Sequence, residues 1–132
     1  MTRSTHLSIT DLEAAYIAWP GSPAEKSALW ALILRTRIER AAATLPRTVI
    51  AARPEGSMVE RRLYLSLGDP ALPPIAQIRR LDRVVAAIGA YTAICELLHG
   101  RNPDPRPPLQ DVHAWTSAVD DLESELAAAA ST

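Results

Sequence analysis

Cys95 and His99 are four residues apart in a stretch with helical periodicity, so they share a helix face. An imidazole beside a thiol can stabilise the thiolate, and a thiolate is a nucleophile. A plainer reading is stronger. Cys95 falls in an apolar stripe, where a buried cysteine behaves as a small hydrophobe. No catalytic or metal role is expected of the pair.

A metal centre needs several ligands that converge on one point. The histidines are His6, His99 and His113, and no HExxH or CxxC spacing accompanies them. Glu96 and His99 form one Glu-x-x-His pair, but its counterpart on a second helix is missing. Asp120, Asp121, Glu123 and Glu125 make an acidic run. On a helix, successive carboxylates point in different directions, so a solvated face is expected and not a cation site. The five glycines are scattered and build no phosphate loop, and no GxSxG nucleophile signature occurs. The expectation is a protein that is not an enzyme and holds no metal or cofactor.

Charge is the more informative signal. The net charge is −1, with thirteen arginines and one lysine, Lys26. From Arg35 to Arg83 ten arginines face five acids; from Arg101 onward two arginines face six. The basic stretch could meet an anionic partner. Arg35, Arg37, Arg40, Arg79, Arg80 and Arg83 are the candidate residues for a nucleic-acid surface. The three-residue turn Pro20-Gly21-Ser22 also resembles helix-turn-helix spacing. Against this, the helix that would read bases opens Pro23-Ala24-Glu25-Lys26, which is poor in base-reading side chains. Alternatively the arginines near residue 80 meet the protein's own acidic last helix.

The elements that position these residues lie between proline clusters, because proline breaks a helix interior. Five segments emerge. Thr10 with Glu13 reads as a capping box for a first helix ending at Trp19. Ser22, Pro23 and Glu25 start a second, which runs to about Leu45. Residues 47–67 are ambiguous. Leu63, Leu65 and Leu67 alternate as in a strand, with Thr48-Val49-Ile50 as a partner across Pro54-Glu55-Gly56. Ser57 with Glu60 and the 59, 63, 67 spacing favour a short helix from Met58 to Leu67 instead. A long helix follows from Pro74 to His99, with Gly100 as its stop, and a last helix from Leu109 to about Ala130.

These elements predict one all-α domain over residues 1–132, a four- to five-helix bundle ending in an antiparallel helix hairpin, with the second helix across it. The expected core is Trp30, Ile33, Leu34, Ile38, Ile78, Leu81, Val85, Ile88, Cys95, Leu98, Val119, Leu122 and Leu126. Gly89, inside the long helix, would admit a bend or a close neighbour. The longest strongly apolar run, Ala28 to Leu34, is too short to cross a bilayer, and Met1 opens no secretory pattern. A single cysteine excludes an internal disulfide and fits a cytoplasmic location.

Strong structural signals without a catalytic set point to a protein-binding module: a small regulator, adaptor or inhibitor. Its size and its alanine- and arginine-rich composition fit a phage or mobile element. Exposed aromatics and arginines dominate binding hot spots, so Arg61, Arg62, Tyr64 and Trp19 are the candidate partner-binding residues. The apolar flanks of the long helix are broad enough that a homodimer could cover them.

Overall fold

The computed structural model describes residues 8–45, 58–100 and 107–130. Among these residues are five α-helices and no strand. They are α1 (Ile9–Ile17), α2 (Pro23–Ala43), α3 (Met58–Leu65), α4 (Pro74–Leu98) and α5 (Leu109–Ala130), with a 3-10 turn over Ser66–Gly68 after α3.

Local chemistry sets the helix ends. Ser8 caps α1, its hydroxyl accepting from the Asp11 amide at 3.1 Å. The cap is therefore two residues earlier than Thr10, which lies inside the first turn. Ser22 caps α2 and accepts from the Glu25 amide at 3.3 Å, with Pro23 at the first helical position. Glu25 does not fold back to complete a box. Its carboxylate accepts from the Trp19 indole at 3.0 Å and so clamps the α1–α2 turn. Gly100 follows α4 with φ of +68°, which a side chain would strain. The strand alternative fails at Leu63 and Leu65, which are helical. A helix puts Val59 and Leu63 on one face against the core, and Leu63 is fully buried. Thr48-Val49-Ile50 lie outside the described residues.

The three long helices α2, α4 and α5 each pack on the other two. Contacts between Arg79 and Glu125 and between Arg83 and Asp121 show that α4 and α5 run antiparallel. Trp30 donates to Thr116, and Arg37 donates to Glu123. The constant offset shows that α2 runs alongside α5 in the same direction, and not across the hairpin. α3 packs on α2 and α4, and α1 packs on α2.

Ile33, Leu34, Ile38, Val119 and Leu122 are fully buried, as expected. Trp30, Ile88, Leu98 and Leu126 pack against the core from partly buried positions. Cys95 is partly buried. The expectation fails on α4: Ile78, Leu81 and Val85 are exposed, at 69, 44 and 51%. The buried row is instead Ala76, Arg80, Val84, Ala87, Ala90, Ile94 and Leu97. At 100° per residue this row lies on the opposite side of the helix. Small alanines let α2 and α5 approach closely, and Arg80 finds a buried acid there.

Ile94→Ala should lower unfolding free energy by about 3 kcal/mol, because it leaves a cavity in a packed site. Ile78→Ala should change it by less than about 0.5 kcal/mol. Urea denaturation of both variants tests which face of α4 is the core.

Candidate interaction surface

The acids of α5 are taken up by arginines on both sides. Arg80 and Glu125 are buried at 3 and 7% exposure, with Nε and Oε1 3.5 Å apart. Arg80 Nη1 also donates to the Ser66 carbonyl at 3.2 Å. The other Glu125 oxygen accepts from Arg79 at 3.1 Å. Arg83 pairs with Asp121 at 3.1 Å. From the α2 side, Arg37 donates to Asp120 at 2.7 Å and to Glu123. The Glu123 hydrogen bond holds the Arg37 guanidinium above its ordinary pKa, against the opposing effect of burial. Arg35 pairs with Glu39 at 3.7 Å, and Arg40 is also engaged. Of the arginines considered for nucleic acid, Arg37, Arg79, Arg80 and Arg83 thus face the protein's own acidic helix.

Glu125→Ala strands the buried Arg80 charge and should cost about 3 kcal/mol or more. Asp120→Ala, at an exposed pair, should cost less than about 1 kcal/mol. Chemical denaturation of the two variants separates them.

The aromatic and arginine candidates do not form one patch. Trp19 is 41% exposed, at the N-terminal end of α2. Tyr64, 46% exposed, lies on α3, and Arg62 shares a cavity with Leu45 just beyond the other end of α2. The length of α2, about 30 Å, separates them. Arg61 is partly buried and already engaged.

What the fold does gather is an apolar row on the outer face of α4. Ile75 is 79% exposed and Ile78 69%, and Leu81 and Val85 continue the line. Single exposed hydrophobics are normal; four branched side chains along one helix face are not. Asp82 is exposed within this row and has no cationic partner among the described residues. Gly89 follows at the same azimuth and opens on empty space, with nothing near a would-be Cβ. It therefore serves no close approach among the described residues. The sequence pattern places Ile78, Leu81 and Val85 in the core, and the structure exposes them. The signal that would have found the right face was Glu125 itself. It follows Val119 and Leu122 in the inward row of α5, and so requires a cation opposite.

A cleft of about 450 Å³ lies between Tyr16, Trp30 and the start of α5. There the Trp30 indole donates to Thr116 at 3.0 Å, while the Thr116 hydroxyl donates to the Val112 carbonyl. Among the described residues no three His, Cys, Asp or Glu side chains are grouped to hold a metal. No helix among them is long and apolar enough to cross a membrane.

Cys95 lies beside Tyr91, whose hydroxyl donates to Glu39 at 3.1 Å. Burial first, then the Glu39 charge, then Cys95, push the Tyr91 phenol well above its ordinary value. A folded-state pKa raised this way contributes stability fully present below the unfolded pKa of about 10. That contribution fades as pH rises from there through the folded value. Tyr91→Phe should therefore flatten the alkaline loss of stability, read from denaturation midpoints at increasing pH.

Comparison with known protein families, characterised proteins and solved structures finds no match to this chain.

Proposed function

We propose that this chain is a non-enzymatic protein-binding module, as a small regulator, adaptor or inhibitor would be, and that α4 is its docking helix. The observation that carries the reading is the row Ile75, Ile78, Leu81 and Val85. It is held on the outer face while a buried ion pair occupies the inner one. Covering aliphatic side chains supplies the driving force for association. The helix-in-groove and helix-on-helix modes of recognition use side chains at this spacing.

Asp82 narrows the occupant. Two copies of α4 related by a two-fold axis through the row would bring the Asp82 carboxylates together. Like charges in a drying interface are costly. An amphipathic helix of another protein, with a lysine or arginine inside its apolar face, meets both the row and the acid. Charge pairing of this kind sets register and selects partners.

The test compares proteins captured from a native extract by the wild type, by Ile78→Glu and by Asp82→Lys. A partner held by the wild type and lost from both variants, with unchanged melting midpoints, is the expected result. A partner held equally by all three would reject α4 as the docking helix. A dimer of the isolated chain that Ile78→Glu dissociates would replace the foreign partner with a second copy.

A further inference from the structure

A second feature is independent of the α4 outer face. A cavity of about 300 Å³ lies where the end of α2, the α3 helix and the following 3-10 turn meet the inner face of α4. This is at the low end of volumes that hold small organic ligands. Its lining is mainly apolar, with Leu45, Leu65 and Pro70 on the wall, and carries the charged side chains Arg62, Arg80 and Asp69.

The arginines are unusual in what they lack. Arg62 pairs with no acid among the described residues, although Asp69 lines the same cavity. One Asp69 carboxylate oxygen accepts from the Ala71 amide at 2.9 Å, and the carboxylate keeps its charge at the cavity wall. Arg80 is 97% buried, yet its Nε makes no hydrogen bond. Its acid, Glu125, divides a single charge between Arg79 and Arg80. The cavity therefore presents one guanidinium, that of Arg62, without an acid partner among the described residues, and an anion would supply one.

We infer that this cavity binds a small organic acid, one carboxylate on a short apolar body, with Arg62 as its principal ion-pair partner. The guanidinium fork matches a planar carboxylate, and the leucines and proline cover the carbon body. The mainly apolar wall gives a carbon body contacts that a fully hydrated phosphate lacks, which separates this ligand class from phosphate.

The test is an NMR titration of the ¹⁵N-labelled full chain with benzoate, using neutral benzamide and inorganic phosphate as controls. Benzoate should shift the amides of Leu65, Ser66 and Gly68 saturably in the millimolar range. Benzamide and phosphate should not. Arg62→Ala should weaken benzoate by about tenfold or more, the loss of a charged hydrogen-bond partner. Arg62→Lys, which keeps the charge but not the fork, should fall between. Melting midpoints of both variants show whether the fold is retained. Absence of a saturable shift would overturn the assignment. Equal shifts from benzamide or phosphate would overturn it too, as would undiminished benzoate affinity in a folded Arg62→Ala.

Discussion

The rotation of α4 about its own axis depends on one buried ion pair. Arg80 and Glu125 both sit in rows that are otherwise apolar, at facing positions of an antiparallel hairpin. Neither charge can be taken from water alone, because an isolated buried ion is prohibitively costly. The two must go in together. Once they do, Val84, Ala87, Ile94 and Leu97 face inward with Arg80. Ile75, Ile78, Leu81 and Val85 are turned outward. A helix with apolar residues on two sides has two ways to pack, and the charge pair distinguishes them. A register slip would expose the leucines and isoleucines of one face and bury a lone guanidinium on the other.

The remaining pairs extend the same pattern at lower cost. Arg37 reaches the acids of α5 from α2, and Arg83 and Arg79 reach them from α4. They are more exposed than the Arg80–Glu125 pair, so each contributes little to stability by itself. Together they place α5 between two basic neighbours. Much of the uneven charge among the described residues is thus paired between α5 and its neighbours. What stays on the surface as an unusual feature is apolar, and that redirects attention from the arginines to the α4 row. The exception is Arg62, which pairs with no acid among the described residues and lines a cavity.

Much of the architecture was legible in the amino-acid sequence. Proline clusters, the Ser22-Pro23 start and the Gly100 stop are local signals, and local hydrogen bonding and backbone sterics decide them. Single-stripe helices were legible too. The Leu34 and Ile38 face of α2 and the Val119 and Leu122 face of α5 have one apolar side each, so only one side can be buried. The short helix at Met58 followed from its 59–63 spacing, although strand-like alternation competed with it over Leu63 to Leu67.

The inward face of α4 was not determined locally, and neither was the candidate surface. Periodicity alone ranks Ile78, Leu81 and Val85 above a face built from alanines and an arginine. Hydrophobicity is a property of each residue, whereas the acceptability of a buried charge is a property of a pair. Arg80 becomes a core residue only when Glu125, 45 positions later, is folded against it. Composition and spacing therefore specified the all-α class and roughly where the long helices start and stop. The tertiary pairing of α4 with α5 specified which side of α4 meets water, because burying Arg80 is tolerable only opposite Glu125, and that orientation leaves the four aliphatic side chains outside.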